Sequence, residues 1–229
     1  MGGVMHVVLS IGGSAVMPEG KPNLKLLRDL AELFRKSRND FAVVVGGGPP
    51  ARVYANAARE LGASEFDADQ IAIMSTKQNA KLMLSAFGDL APSDVIEDFG
   101  EAREAAKCYK VVVMGGTIPG ITTDTDSVLL AEAIKAKRLV NVSNVSGIYD
   151  SDPKANKNAK KFERLSYDQL ISLAMDSDKR TAGTNFVFDL LACKLIARSS
   201  IEGHFVSWKD MDDVKAAIDG KKHGGTVVG

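Results

Sequence analysis

The stretch VVVMGGTIPGITTD, from Val111 to Asp124, decides how this chain is expected to fold. Four apolar residues end at two glycines, and a polar loop with one proline, a third glycine and three threonines follows. A short apolar run that ends in glycine is typical of a strand buried on both faces, as in a parallel sheet. The stretch therefore predicts a buried strand followed by a loop rich in exposed backbone and hydroxyl groups.

Similar apolar runs recur along the chain and alternate with helical patterns. The strand candidates are VVLSI (7–11), FAVVV (41–45), KVVVM (110–114) and LVNVS (139–143). Apolar residues recur at helical spacing in NLKLLRDLAELFRKS (23–37) and in SVLLAEAIKAKR (127–138). Strands that alternate with helices indicate βαβ units, so the sequence predicts an α/β fold with a doubly wound, mostly parallel sheet.

The second half of the chain continues this pattern after a polar interruption. Residues 151–166, SDPKANKNAKKFERLS, predict a solvated surface loop, and a helix capped by Ser166 is expected to follow. In FVFDLLACKLIARSS (186–200) the predicted apolar stripe consists of Val187, Leu190, Leu191 and Leu195. Two last strands are predicted in GHFVSW (203–208) and GGTVV (224–228). We therefore expect one compact unit with two lobes.

Composition sets limits on the kind of partner. The 229 residues carry 29 basic and 29 acidic side chains, which argues against a nucleic-acid binder that works by broad phosphate attraction. The two cysteines are expected to stay reduced, and the three histidines show no metal-ligand spacing. No apolar run approaches the ~18 residues of a membrane span. We expect no nucleic-acid partner and no membrane insertion.

Three predicted strands end in glycine-rich loops, namely SIGGS (10–14), VVGGGPPAR (44–52) and MGGTIPGITTD (114–124). Ligands of open α/β sheets bind beyond the carboxyl ends of the strands, where bare backbone amides approach anions. Together the loops predict a crevice for several phosphates. The Walker A pattern is absent, and GGGPPA matches a relaxed dinucleotide fingerprint only after the second strand, where that fingerprint is not expected.

Several side chains next to these loops have two interpretations each. Arg52 either reaches a phosphate or is a solvated surface arginine. Asp69, which we place just before a long helix, either accepts ribose hydroxyls or caps that helix. Asp124 either orients a magnesium shell or nearby cations, or is an acid favoured by the helix dipole. The hydroxyls of Thr117, Thr122 and Thr123 are candidate donors to a ligand.

Taken in order, IGGS, VVVGGGxxAR, DxIAI, MGGTxPGxTTD and SNVxGIYxxDP closely resemble the archaeal UMP kinases of the amino acid kinase family. The resemblance runs from Val7 to the final GGTVV. It implies a three-layer αβα sandwich, an acceptor lobe over roughly 1–137 and an ATP lobe over roughly 138–229. It also implies UMP and Mg-ATP as substrates, Mg²⁺ carried by ATP rather than by protein ligands, a cytoplasmic location and a homohexamer built as a trimer of dimers.

The resemblance assigns roles to individual positions. The residues implied for UMP are Gly47, Asp69, Thr117, Ile118, Pro119, Gly120, Ile121, Thr122 and Thr123. The residues implied for ATP are Gly13, Ser14, Gly48, Arg52, Ser143, Asn144, Tyr149 and Asp152. Arg52 and Asp124 are the implied catalytic residues.

The sequence departs from the family pattern at two positions. Ser10 stands where many members have a lysine that reaches the transferring phosphate, and Arg52 and Lys194 are two candidates for the missing cation. Ser146 replaces the usual acid. Other acceptors remain open, namely an acylglutamate, aspartate, carbamate or isopentenyl phosphate, as does a module that binds nucleotides without turnover.

Overall fold

The computed structural model describes residues 6–153, 155–178 and 188–229. The strands are β1 (His6–Ile11), β2 (Asp40–Val45), β3 (Val111–Met114), β4 (Arg138–Ser143), β5 (Arg164–Leu165), β6 (Glu202–Ser207) and β7 (Thr226–Val228). The helices are α1 (Gly13–Val16), α2 (Leu24–Lys36), α3 (Gly48–Glu60), α4 (Glu65–Phe87), α5 (Phe99–Ala105), α6 (Thr123–Ala133), α7 (Tyr167–Asp178), α8 (Leu190–Arg198) and α9 (Met211–Ile218).

The strands form one seven-stranded sheet in the order β3-β2-β1-β4-β6-β7-β5. The first five strands in this order run parallel, β7 is antiparallel to β6, and β5 is parallel to β7. Pairing of β1 with β4 joins the two predicted lobes into one sheet. The carboxyl ends of β1, β2, β3 and β4 therefore lie at one edge, which confirms the predicted α/β fold.

Alternation along the strands gives the sheet two apolar faces. In β1, Val7, Leu9 and Ile11 pack into the cluster formed with α2, α4 and α9. Val8 belongs to the opposite cluster, which α5, α6, α7 and α8 complete. Helices thus cover both faces, because a parallel sheet must bury both of its apolar surfaces. The predicted three-layer αβα sandwich is confirmed.

Local sequence explains where two of the helices that carry site residues begin, α4 and α6. Ser64 caps α4 by accepting a hydrogen bond from the Asp67 amide, while the Asp67 carboxylate accepts one from the Ser64 amide. At α6, the Thr122 hydroxyl accepts hydrogen bonds from the amides of Asp124 and Thr125. Helix α6 begins within the loop after β3, whereas α4 follows α3 and reaches the glycine loops only from its second turn onward.

Three sequence-based expectations need correction. The helix predicted to Arg138 ends at Ala133, because Lys135 takes a positive φ of 58° and the chain then enters β4. The predicted loop 151–166 contains the short strand β5, which is stabilised by its pairing with β7 and not by local sequence. In α8 the buried face is Ala192, Cys193 and Ile196, whereas Leu191 is 45% exposed. Val187, the first residue of the predicted stripe, lies outside the described residues.

Candidate active site

The loops after β1 and β2 meet backbone to backbone at two glycines. A Cβ on Gly13 would lie 2.0 Å from the Gly48 nitrogen, and a Cβ on Gly48 would lie 2.5 Å from the Gly13 oxygen. Gly48 also has a φ of +69°, which side-chain-bearing residues rarely adopt. Only glycine fits at either position, so the sequence motifs IGGS and VVVGGG build one continuous surface of backbone amides.

Side chains of helix α4 hold the glycine loops after β2 and β3 by hydrogen bonds to their backbone. The buried Asn79 amide donates to the carbonyl oxygens of Gly46 at 2.8 Å and Gly47 at 3.1 Å. The Thr76 hydroxyl accepts from the Gly116 amide at 2.7 Å. One helix face therefore sets the loops after β2 and β3 relative to each other. Sequence reasoning missed both side chains, since neither stands in a glycine motif.

Asp69 links α4 to the acceptor loop, which we define as residues 117–123. Its Oδ2 accepts a hydrogen bond from the Gly120 amide at 2.9 Å. Asp69 lies inside α4, not before it, and the cap of that helix is Ser64. The expected position was wrong, and so was the capping alternative. The half-buried carboxylate keeps its other oxygen without a hydrogen-bond partner among the described residues, next to the loop tip that carries Ile118, Pro119 and Ile121.

Two of the three loop threonines donate their hydroxyl hydrogen bonds to carboxylates of the protein. Thr117 donates to the fully buried Asp126 at 2.6 Å, and Thr122 donates to Asp189 at 2.5 Å. Asp189 caps α8 and also accepts from Thr125 at 3.0 Å. These bonds hold the shape of the acceptor loop. By contrast, the Thr123 hydroxyl makes no hydrogen bond within the described part of the chain.

Asp124 lies at the start of α6, where the first turn approaches the sheet. Ser10 and Asn141 are paired neighbours on β1 and β4, and both donate to Asp124 Oδ1, at 2.7 and 2.9 Å. Burial raises the pKa of the Asp124 carboxyl to about 7; the two hydrogen bonds oppose this rise, and the nearby Asp189 carboxylate adds to it. At Ser10, where the resemblance implies a lysine in many members of the family, the structure therefore has a neutral hydroxyl donor to Asp124.

Burial also raises the pKa of Asp126, to about 6, although both hydrogen bonds from Thr117 lower it. Asp124, Asp126 and Asp189 form the carboxylate cluster beneath the acceptor loop. Among the described residues, no lysine or arginine forms an ion pair with any of the three. The Oδ1 of Asn141, which is 4% exposed, is likewise buried without a partner in the described part of the chain. The cluster is rich in oxygen acceptors and poor in cations.

The two candidate cations, Arg52 and Lys194, lie on different helices. Arg52 is exposed in the second turn of α3, directly after the interlocked glycines, and makes no hydrogen bond or ion pair to a described residue. Lys194 is exposed in the second turn of α8, and it too has no such partner in the described ranges. Both side chains are therefore available to a ligand, and the structure brings neither into contact with Asp124.

The residues expected for ATP follow β1, β2 and β4. Gly13, Ser14 and Gly48 belong to the interlocked loops; Ser143 ends β4 beside them, and Asn144 follows it. The Ser143 hydroxyl accepts from the Val145 amide at 3.1 Å, and the Tyr149 and Ser146 hydroxyls share a hydrogen bond of 2.8 Å. Asp152 lies further along this segment. The fold therefore brings residues from distant parts of the sequence to one edge of the sheet.

Two further features of the described residues bear on ligand classes. Over 6–153, 155–178 and 188–229, no three His, Cys, Asp or Glu side chains are grouped so that they could hold a metal ion. No helix in the same ranges is long and apolar enough to cross a bilayer.

A doubly wound sheet with three glycine loops and a carboxylate cluster at one edge is the architecture of a phosphate-handling α/β protein. The sequence profile of the amino acid kinase family matches residues 5–207. This chain belongs to the amino acid kinase family.

Within the family, the chain is similar to archaeal proteins named uridylate kinase. It is 44% identical over 226 residues to the protein of Thermococcus kodakarensis, covering 98% of this chain and 99% of that one. It is 45% identical to the Archaeoglobus fulgidus protein, covering 98% and 100%. The crystal structure of uridylate kinase from A. fulgidus superposes with a TM-score of 0.87 over 98% of this chain and 100% of that chain. A UMP kinase structure from Bacillus anthracis, at 20% identity and a TM-score of 0.79, shares the fold.

Proposed function

We propose that this protein is a UMP kinase, which transfers the γ-phosphate of Mg-ATP to UMP and forms UDP and ADP for pyrimidine nucleotide synthesis. The observation that carries the proposal is the near-full-length similarity to archaeal uridylate kinases. The glycine loops support it, because phosphoryl transfer needs in-line positioning and charge neutralisation more than covalent catalysis. We place this activity in the cytoplasm, where both nucleotides are available.

On the acceptor side, we propose that the loop 117–123, Gly47 and Asp69 hold UMP. Asp69 already fixes Gly120, and its second carboxylate oxygen is free to accept a ribose hydroxyl. The internal bonds of Thr117 and Thr122 suit a preformed loop, so the backbone amides and Thr123 are the groups that we assign to the nucleotide. A loop that is shaped before binding loses less entropy when UMP arrives.

On the donor side, we propose that ATP lies against the interlocked glycines and the segment from Ser143 to Asp152. The Tyr149 ring is assigned to the adenine and ribose. Arg52, which is exposed beside the loop after β2, is assigned to the phosphates, where a guanidinium can make two parallel hydrogen bonds. Asp124 lies between the two sides and is the acid nearest the expected transfer path.

Magnesium is assigned to ATP and not to a resident protein site. Oxygen donors suit Mg²⁺, which commonly binds through one or two carboxylates together with substrate phosphates. The Asp124 carboxylate, which has no ion-pair partner among the described residues, and the Asn141 Oδ1, which has no hydrogen-bond partner there, are the groups that fit around such an ion. When bound, Mg²⁺ neutralises phosphate charge; Asp124 and Asn141 would orient its shell from the sheet side.

We also propose that the chain self-associates through α3 and α4, as expected for a hexamer built from dimers. Five large apolar side chains on these two helices and at the C-cap of α3 are exposed: Val53, Tyr54, Leu61, Phe66 and Met74. Leu61 is 89% exposed, a costly arrangement for an isolated chain in water. The helices pack on each other through small residues (Ala55, Ala58 and Ala68), so their outer faces are free to meet a second copy.

The test of the proposed function is ADP formation by the purified protein with Mg-ATP. The acceptors to compare are UMP, CMP, dUMP, AMP, acetylglutamate, aspartate, carbamate and isopentenyl phosphate. Turnover with UMP far above the others is expected. Preference for another acceptor would keep the fold and the ATP side but would refute the assignment of the acceptor loop, whereas UMP binding without turnover would favour a nucleotide-sensing module.

A further inference from the structure

A chain of hydrogen bonds runs through two histidines, His204 on β6 and His223 just before β7, away from the carboxylate cluster. The Gly225 amide donates to His223 Nδ1 at 3.0 Å, and His223 Nε2 lies 2.8 Å from His204 Nδ1. His204 Nε2 lies 2.7 Å from a carboxylate oxygen of Glu202, to which Arg138 also donates. His204 is almost fully buried and His223 is half-buried.

The geometry fixes the proton positions along this chain. Because Gly225 donates to His223 Nδ1, that nitrogen is an acceptor, and the neutral ring carries its hydrogen on Nε2. That hydrogen points to His204 Nδ1, so His204 carries its own hydrogen on Nε2, facing Glu202. All four ring nitrogens are thus used once, with both imidazoles neutral.

An added proton has no place in this arrangement. On His223 it would set an N–H against the Gly225 amide. On His204 it would set two ring N–H groups against each other, unless His223 moved its hydrogen to Nδ1 and again displaced Gly225. Every protonated form therefore loses one hydrogen bond of the chain.

The surroundings of the two histidines also favour their neutral forms. Burial lowers the pKa of His204, against the opposing effect of Glu202, and burial also lowers the pKa of His223. Asp213 on α9 raises the pKa of His223, whereas Lys161 lowers it. A surface pocket of about 560 Å³ borders the chain, so protons from solvent can reach it; its other charged lining residues are Glu163, Arg164, Lys221 and Lys222.

The histidine chain is connected to the segment assigned to ATP. Gly225 is followed by Thr226, whose hydroxyl accepts from the Ile148 amide at 2.9 Å and donates to the Phe162 carbonyl. Lys161 donates to the Gly224 carbonyl and forms a β-bridge with Tyr149. Residues 223–226 thus support the backbone on both sides of Ile148, next to Tyr149.

We propose that His223, His204 and Glu202 form a proton-sensitive clamp that positions residues 145–149, so that proton uptake weakens Mg-ATP binding and leaves UMP binding unchanged. The inference rests on the proposed function for the identity of the ligand at this segment. His223 and His204 act as positioning residues, through Gly225 and Thr226. The acceptor loop follows β3, at the opposite end of the strand order from β7, and no hydrogen bond between described residues joins it to the clamp.

The first measurement is hydrogen–deuterium exchange without nucleotide, on the peptides that carry 145–149 and 223–228. The parent protein and His223→Asn are compared at pH 7.5 and 5.5. Asparagine can still accept from the amide two residues on, but it does not titrate. We expect exchange at pH 5.5 to be faster in the parent than in the variant at both peptides. Equal exchange in the two proteins would overturn the clamp whatever the protein's activity.

The second measurement is the dissociation constant of Mg-ATP and of UMP from pH 7.5 to 5.5. The parent should lose about three- to tenfold in Mg-ATP affinity, the value of one neutral hydrogen bond. His223→Asn should lose less, and comparison of the two proteins cancels titration of the phosphates. The third histidine, His6, lies on β1, so His6→Asn is the matched control and should behave as the parent.

Glu202→Gln separates a titrating clamp from a merely structural one. The Glu202 carboxylate raises the pKa of His204, so its removal should move the midpoint of the Mg-ATP effect to lower pH. An unmoved midpoint, a loss in His223→Asn equal to that of the parent, or an equal loss of UMP affinity would each refute the proposal. Failure to bind either nucleotide at any pH would refute the proposed function, and hydrogen exchange would still decide the clamp.

Discussion

At the scale of single residues, Asp69 is the side chain that we expect to affect binding of the acceptor nucleotide and not of the donor. Asp69→Asn keeps an oxygen for the Gly120 amide but removes the charge that we assign to a ribose hydroxyl. UMP affinity should fall about ten- to a hundredfold, the cost of a hydrogen bond to a charged group, with Mg-ATP affinity unchanged. Calorimetric titration of each nucleotide measures this. Asp67→Asn, in the same turn of α4, is the control, and equal losses for both nucleotides would remove Asp69 from the acceptor site.

The Asp124 carboxyl makes a prediction about stability without nucleotide. Its pKa is raised to about 7, so its contribution to the free energy of unfolding is intact at low pH and is lost as pH rises through 7. Asp124→Asn removes this term. From pH 5 to pH 8, the free energy of unfolding of the parent should therefore fall by about 2 to 3 kcal/mol relative to that of the variant, at 1.36 kcal/mol per pKa unit. Urea unfolding at both pH values measures the difference; a gap that is independent of pH would contradict the raised pKa.

Arg52 and Lys194 are the two candidates for the cation that Ser10 does not supply. Arg52→Ala should lower kcat about ten- to a thousandfold, the usual loss of one charge-stabilising group, because Arg52 follows the loop assigned to the phosphates. Lys194→Ala should lower kcat less, since Lys194 lies on α8 and does not follow a loop that we assign to the phosphates. Steady-state kinetics of both variants decide the order, and a reversed order would transfer the role to Lys194.

At the scale of elements, α4 is expected to control both glycine loops at once. Asn79→Leu leaves the Gly46 and Gly47 carbonyls without their side-chain donor, so the free energy of unfolding should fall by about 1 to 3 kcal/mol. KM should rise for both UMP and Mg-ATP, because we assign residues of the loop after β2 to both nucleotides. Thermal unfolding and kinetics test this. Gln78→Leu, at the exposed position immediately before Asn79, is the matched control. If Gln78→Leu lost as much unfolding free energy, the effect would not come from the loops.

Elements also show how far sequence reasoning reaches. Runs such as VVLSI and FAVVV predicted four parallel strands, since strands buried on both faces must be apolar throughout. Strand β5 could not be predicted, because its two residues are ordered by a partner distant in sequence. The same holds for the site: the glycine loops are visible locally, whereas Asn79, Asp126 and Asp189 depend on helices packed over long sequence distances. The threonines of the acceptor loop were predicted as ligand donors, yet two of them bind carboxylates.

At the scale of the whole molecule, the exposed apolar side chains of α3 and α4 predict assembly. The parent should elute as an oligomer, and a hexamer would have a mass of about 146 kDa, six times 24.4 kDa. Tyr54→Glu with Leu61→Glu places two charges on this face and should shift the mass to smaller species. Size-exclusion chromatography with light scattering measures it. Leu24→Glu, exposed on α2, is the control; an unchanged mass in the double variant would place the interface elsewhere.

The position of β7 between β6 and β5 has a consequence for how the protein is made. Strand β5 leaves the ribosome about sixty residues before β7, its neighbour in the sheet. Until then, residues 164–165 have no strand to pair with, while β1, β2 and β3 can already assemble on the emerging chain. Synthesis thus completes the half assigned to UMP first, and the half assigned to ATP closes only when the last strand inserts. A nascent chain stalled before residue 226 would carry an unfinished donor side, exposed to chaperones and proteases.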